Sequence, residues 1–417
     1  MKTTELKPKP ENASTLLVTM IFVVSMAFLL SSYLSMVQGS DQMVSRSQSW
    51  NSALSIAESG AEEGLAMLNQ SGSSPGFSWS QNITRNLNGG KYSVSYYNSG
   101  GTVWIYSTGM VSVAKSGDMV KRVVAIRSQK SGFFMMGLVA INNIQFNGNG
   151  IAADSWNSYD PNQSTNGLYN GYVGTYGDVA SVYGAVNIGN HTINGNLYLG
   201  PTATYDSSAG QVTGTIYYNA NLSFPDASLP TTDSAGNTIS WLPVPTTTTG
   251  SGKTAVTSHD ITSDGYYFIN DAYPVSVEPG VTATIDVKRD SWGPTTLDIG
   301  GGTTNSGNVV LYLESGSITL SGNSHGGASG NRAGNLVIMG LPAVTGITLS
   351  GNSSFVGAVY SPEAVLTLNG GGNANNLIGS AVVNTVTLNG HYDFHYDTAL
   401  ATNGWNRGFV INQWQEL

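Results

Sequence analysis

Ile347-Thr-Leu-Ser-Gly-Asn352 recurs along the second half of the chain, and its repetition decides the fold. Copies stand at Ile318-Thr-Leu-Ser-Gly-Asn323, Leu366-Thr-Leu-Asn-Gly-Gly371 and Val386-Thr-Leu-Asn-Gly-His391. A looser copy is Ile144-Gln-Phe-Asn-Gly-Asn149. In an extended strand the first and third positions share one face, so each unit sends an aliphatic pair inward and its Thr outward. Ser/Asn-Gly then turns the chain. A second short strand follows in two units, Gly357-Ala-Val-Tyr360 and Gly379-Ser-Ala-Val-Val383. Units about 20 residues long that cannot bury an apolar face alone predict stacking into one continuous core. The expected fold is mainly β, with a right-handed parallel β-helix-like solenoid over 131–400. An irregular β-sandwich is the alternative.

The composition agrees. Of 417 residues only 10% are charged, 52 are Gly and none is Cys. Gly and Asn at this frequency suit a turn-rich β protein. Without cysteine there is no disulfide framework, thiolate metal site or thiol nucleophile. Residues 1–130 hold 11 Lys/Arg against 7 Asp/Glu, a net of +4, while 131–417 hold 5 against 18, a net of −13. A body this poor in cations excludes nucleic acid as a partner.

The N-terminal region has a different character. No charged residue occurs over 12–40, and 16–34 is mostly Leu, Val, Ile, Phe and Met, enough to span a bilayer core. The run is too long for a signal-peptide core. The short leader, 1–13, carries Lys2, Lys7 and Lys9 against Glu5 and Glu11, which predicts a cytoplasmic leader and an external body. Beyond the span, Met43, Trp50, Leu54, Ala57, Ala61, Leu65 and Leu68 form a stripe at helical spacing. Glu58 and Glu62 lie one turn apart off that stripe. One long helix over 14–70 is expected, with a separate juxtamembrane helix as the alternative. Residues 71–130 read as a small antiparallel sheet, with three strands in 91–130 laid on the stripe. Lys121, Arg122 and Arg127 read as solvated strand residues. Pro225, Pro230, Pro243, Pro245 and the Thr246–Thr249 run mark 223–257 as a linker or an excursion from the solenoid, and 401–417 reads as a C-terminal tail.

The basic leader, uncharged helix entrance and Leu54-Ser-Ile-Ala-Glu58-Ser-Gly-Ala-Glu62-Glu63-Gly64 resemble the N-terminal region of PilX-type minor pilins. In that family an Ala-Glu-x-Gly-x-Glu stretch closes the long helix, matched here by Ala57, Glu58, Gly60 and Glu62. The resemblance implies insertion in the bacterial inner membrane, peptidase processing of the leader, and assembly with other pilin or pseudopilin subunits through the helix. The nearest processing position is Ala13 followed by Ser14, where major pilins have Gly before Phe. The fifth mature residue would be Val18 rather than Glu, as in some tip subunits. The repeats that follow resemble the β-helical C-terminal domain found after PilX-type N-termini in some envelope proteins. That resemblance carries no catalytic motif.

Two clusters carry candidate chemistry. On a strand, His391, Asp393, His395 and Asp397 share one face and could hold a divalent cation, while Tyr392, Phe394 and Tyr396 share the other. A terminal strand with packed aromatics and a wet polar face is the favoured reading. Asp154, Asn157 and Asp160 offer oxygen ligands without a Ca²⁺-loop spacing. Catalysis on a β-helix needs paired carboxylates or a cationic base from adjacent rungs. The five cations of the body, Lys253, Lys288, Arg289, Arg332 and Arg407, show no acidic partner at a recognisable spacing. The reading is therefore a non-catalytic chain with no cofactor and no metal, a pilin-like filament subunit displaying a β-helical domain. The alternative is a permanently membrane-anchored solenoid binding surface glycans through exposed Tyr, Trp and Asn.

Overall fold

The computed structural model describes residues 12–71, 78–99, 102–114, 117–147, 152–206, 210–233, 235–252, 255–271, 273–288, 291–292, 297–299, 308–321, 332–351, 354–370, 375–390, 392–402 and 406–417. Most of the leader, the stop at 72–77 and His391 lie outside the described residues. The chain forms two units, residues 1–130 with 408–417 and residues 131–407.

In the first unit a single uninterrupted helix, α1 (Asn12–Ser71), carries the apolar segment and continues into the head. Its Thr15–Asn69 stretch is long and apolar enough to cross a membrane, and none of the side chains from 15 to 38 is covered. The helix begins earlier than expected, so Ala13 and Ser14 already lie within it. Against its far half packs an antiparallel sheet of β1 (Ile83–Leu87), β2 (Gly90–Ser99), β3 (Thr102–Ser112), β4 (Met119–Gly132) and β5 (Asn406–Glu416), in that spatial order. Two of these strands correct the sequence reading. β1 is additional to the expected three, and the segment read as a C-terminal tail is the strand that extends the sheet beyond β4.

Alternation sets the inner face of the sheet: Tyr92, Val94 and Tyr96 on β2, and Val103 and Ile105 on β3, are buried. The covered helix stripe is Ala53, Ala57, Gly60, Ala61, Gly64 and Leu68. Met43 and Trp50, expected in it, are 76% and 48% exposed. The stripe works because its residues are small. A Cβ on Gly109 of β3 would strike the Ala53 carbonyl oxygen and stand 2.7 Å from the Ala57 nitrogen. At the helix end the Asn69 side chain donates to the Phe409 carbonyl (3.1 Å) and accepts from the Phe409 N–H, fastening β5. Gly408 there has φ +98°, a conformation other residues resist. Arg122, far from free, pairs with Glu416 and lies over the Trp50 ring at 4.8 Å.

The second unit is a stack of parallel strands, and the five sequence copies occupy consecutive rungs in register. Ile318 pairs with Ile347, Ile347 with Leu366, Leu366 with Val386, and Val386 with Ile144. Their buried side chains join one core cluster with Leu349, Leu368, Leu388 and Phe146. Each fully buried aliphatic contributes about 2 kcal/mol of transfer free energy, available only when a neighbouring rung covers it. At the turns, Asn389 donates to Asn369 (2.8 Å) and Asn147 donates to Asn389 (3.2 Å), a ladder of amides across three rungs.

Rung order is not chain order. The first strands, Leu138–Ala140 and Ile144–Asn147, pair with the last long strand, Asn375–Asn389. From this seam the chain stacks outward through Val179–Ser181, Leu197–Leu199 and Ile216–Tyr217. It then returns along the side of the stack to Leu242–Pro243, beyond Gly265–Ile269, and winds back through Thr282–Val287, Asn308–Ser321, Leu336–Gly351 and Phe355–Gly370 to the seam. The proline-rich excursion is thus a strap. Its Phe224, Ala227 and Leu229 pack on an outer apolar face that includes Val139, Val382, Tyr360 and Tyr312, and Tyr360 Oη donates to the Pro225 carbonyl at 2.6 Å. About ten rung spacings separate the strap's ends, roughly 48 Å, and its 24 residues (218–241) can reach roughly 79 Å when extended.

Candidate functional site

The seam gathers the two clusters that the sequence shows 241 residues apart. Strands Ala152–Trp156 and Tyr392–Asp397 lie parallel, with His395 beside Asp154 and Asp397 beside Trp156. Phe394 and Tyr396 point into the core, as the alternation requires. The polar face is not wet, however. His395 and Asp154 are 5% and 2% exposed, because residues 157–178 fold over them.

His395 Nδ1 stands 2.7 Å from Asp154 Oδ1, so the imidazole N–H donates to the carboxylate. The Tyr169 ring stacks on the imidazole at 4.0 Å, and Trp156 meets Tyr169 edge-on at 5.6 Å. Asp397 accepts from the backbone N–H of Ser158 (3.0 Å) and of Ala399 (3.1 Å). Arg332 lies over the Tyr159 ring at 4.4 Å. Burial pushes the Asp154 carboxyl above the usual range while His395 pulls it back. Burial also raises Asp397, and the two backbone donors oppose it. The His–Asp pair is sealed by the tyrosine, which makes it a latch holding the 157–169 segment on the seam. Phe394 and Tyr396 are packed as the favoured reading expects, and the burial of His395 and Asp397 departs from its wet polar face. Asp160 instead accepts from the Asn162 backbone and the Asn162 and Gln163 side chains, and Asn157 accepts from the Tyr159 N–H. Each of Asp154, Asn157 and Asp160 thus has a side-chain oxygen engaged by a different partner. Among the described residues no three His, Asp or Glu side chains are placed to hold a metal.

Beside the latch opens a cleft of about 500 Å³, lined in part by Tyr172, Tyr176, Asn157, Gln163, Asp178 and Thr398. Its wall is Asn170-Gly-Tyr-Val-Gly-Thr-Tyr-Gly-Asp178, a signal the sequence reading passed over: aromatics spaced by glycines. The glycines bring this backbone against the seam strand. A Cβ on Gly174 would stand 2.6 Å from the Ser155 carbonyl oxygen, and one on Gly177 would stand 2.7 Å from the Asp154 Cα. The Gly174 N–H donates to the Ser155 carbonyl (2.8 Å) and the Tyr176 N–H to Ser155 Oγ (2.9 Å).

Two further polar groups were not foreseen. His259 Nε2 lies 2.7 Å from Asp271 Oδ1, and Lys288 Nζ lies 3.5 Å from Asp286 Oδ2. The second pair overturns the expectation that no cation of the body has an acidic partner beside a repeat strand. Asp286 is buried, with Oδ1 unpartnered, and its pKa is pushed up to about 6 by burial and by the nearby Glu314 carboxylate. Gly72-Ser73-Ser74-Pro75-Gly76 fits the G-x-S-x-G spacing of a nucleophile elbow, which corrects the reading that the chain has no such motif. It lies outside the described residues and follows a helix, where an elbow follows a strand.

In the helix motif the residues divide by role. Ala57 and Gly60 are buried against the sheet, where a Cβ on Gly60 would stand 2.8 Å from the Tyr92 ring. Glu58 and Glu62 are exposed. Neighbouring Glu63 is instead held by Arg85 and the Tyr92 hydroxyl. The small residues thus serve internal packing and leave two glutamates facing outward. No curated protein and no solved structure matches the chain. Residues 231–403, the strap's second half and the arm that winds back to the seam, are similar to a family described as a domain of unknown function (DUF7305).

Proposed function

We propose that this protein is a non-catalytic, pilin-like subunit of a type IV pilus or type II secretion-like filament, a tip or accessory component that displays a β-solenoid. The carrying observation is α1. One continuous helix joins an uncovered apolar span to a half whose sheet-facing side is small residues and whose outer side presents Glu58 and Glu62. A helix so divided suits insertion in a bacterial inner membrane with the body in the periplasm, and lateral packing with other pilin helices. N-terminal sequencing of the native protein tests this. A mature start at Ser14 supports it, and an unprocessed Met1 counts against it. Site-directed cross-linking from Glu62→Cys gives the second arm. A ladder of products with pilin subunits is expected, and products with none refute assembly through this face.

A permanently anchored, surface-binding solenoid is the second reading. Two observations favour it. Ala13 and Ser14 lie inside α1 rather than in an open segment before it, and the cleft beside the seam presents uncovered tyrosines.

A further inference from the structure

Tyr172, Val173 and Tyr176 are 39%, 59% and 67% exposed. An exposed aromatic on a loose loop needs no explanation, but this backbone is not loose. It is fixed to the Ala152–Trp156 strand by the two hydrogen bonds from Gly174 and Tyr176, by a bridge between Ser155 and Gly174, and by glycines that leave no room between the backbones. The seam holds that strand in turn through the His395–Asp154 pair. The fold therefore orders large apolar rings in water, at a cost that internal packing does not offset.

The lining polar groups are amides, hydroxyls and one carboxylate. Asn157 and Gln163 are planar amides, Thr175 and Thr398 are hydroxyls, and Asp178 is a carboxylate. Their positions are fixed by bonds already made: Asn157 to the Tyr159 N–H, Gln163 to Asp160, and Asp178 to the Asn196 backbone and amide. Each retains donor or acceptor capacity beyond those bonds. Among the described residues no Lys, Arg or His lines the cleft, and the body around it has a net charge of −13, from 5 cations against 18 acids. Anionic ligands are repelled, and nothing there would neutralise a carboxylate or phosphate. A ligand that fits has apolar faces for the tyrosines, a rim of hydroxyls for the amides and the carboxylate, and no charge. Its size is that of an ordinary small-ligand site.

We infer that this cleft binds a neutral oligosaccharide, with Tyr172 and Tyr176 stacking on sugar rings and Asn157, Gln163 and Asp178 holding hydroxyls. The inference holds whether or not the helix enters a filament, so its test is independent of leader processing. The full chain, in a detergent without a sugar headgroup, is titrated with cellohexaose, xylohexaose, maltohexaose and N-acetylchitohexaose at up to about 1 mM, using saturation-transfer NMR and calorimetry. At least one is expected to bind. Tyr176→Ala and Tyr172→Ala should each weaken it about tenfold, the scale of losing one aromatic stack. Tyr218→Ala, equally exposed at 67% but away from the cleft, should leave it unchanged. Unaltered melting temperatures show that the variants fold. Binding by none of the four hexasaccharides overturns the inference. So does wild-type affinity in Tyr176→Ala, or tighter binding of the acidic hexagalacturonate.

Discussion

Replacing Asp286 by Asn should stabilise the solenoid at pH 8 and do almost nothing at pH 4. The carboxyl is buried, one of its oxygens has no partner, Glu314 adds a second negative charge, and Lys288 at 3.5 Å offsets only part of this. Its pKa rises from 3.8 to about 6 on folding. Between those values the native state binds more protons than the unfolded chain, so stability falls as pH rises. Asp286 thus favours folding most below pH 4, and that advantage is lost by the time pH has passed 6. Two units correspond to about 3 kcal/mol, a net figure that already includes the attraction of Lys288, and the variant should recover about that much at pH 8. The assay is hydrogen exchange of the Thr282–Val287 strand in the full chain, at several pH values corrected for intrinsic exchange. Protection of this strand should decline from pH 4 to 7 in the wild type and stay level in Asp286→Asn. A variant that loses protection at every pH, or keeps the wild-type slope, would refute the reasoning.

The seam and its neighbours give three more expectations. His395→Phe leaves Asp154 buried without its donor and should cost about 3 kcal/mol, read as lost protection in Ala152–Trp156, while Asp154→Asn with His395→Gln should restore most of it. Gly379→Ala should cost about 3 kcal/mol, because the residue has φ +142° and its Cβ would strike the Gly357 carbonyl of the adjacent rung; protease susceptibility of 375–389 reports it. A protease site inserted after Gly236, in an exposed turn of the strap, should nick the chain without separating the halves, since the seam joins residues 138–156 to 381–397 by strand pairing. Separation of the halves on gel filtration would show the seam too weak to hold.

The repeats were legible because an inward aliphatic pair followed by a Gly turn recurs as one short pattern, whatever the length between copies. Even the loose copy at Ile144 takes its place beside Val386. The seam was not legible, because nothing local in Asp154 or His395 records a partner 241 residues away. The helix stripe was misread at one end for a related reason. Met43 and Trp50 keep the same helical spacing as Leu68, and periodicity cannot tell a position the sheet buries from one it leaves exposed. The β5 strand hides in its own composition: Phe409 is buried but Val410, Ile411 and Trp414 are largely exposed, the pattern of an edge strand rather than of alternation. The Asp286 site was not legible either, because Glu314, whose carboxylate raises its pKa, comes from the next rung, 28 residues on.

The similarity of the repeats creates a problem that the seam's chemistry answers. Along each arm, covalent connection brings every rung beside the next. At the seam, Asn375–Asn389 meets a strand far away in sequence, and its inward Val386 and Leu388 would pack nearly as well on another Thr-centred unit. Aliphatic packing alone discriminates poorly among such pairings. The polar pairs do discriminate. Only with His395 beside Asp154, and Asp397 beside Trp156 where it accepts from the Ser158 N–H, is each buried charge partnered. A slip by one rung strands an aspartate in an apolar layer, at a cost of several kcal/mol. The same pairing places the entry strand, Leu138–Ala140, beside the exit rung. The chain can therefore leave β4, build the solenoid and return as β5, the strand next to β4, without crossing the length of the stack a second time.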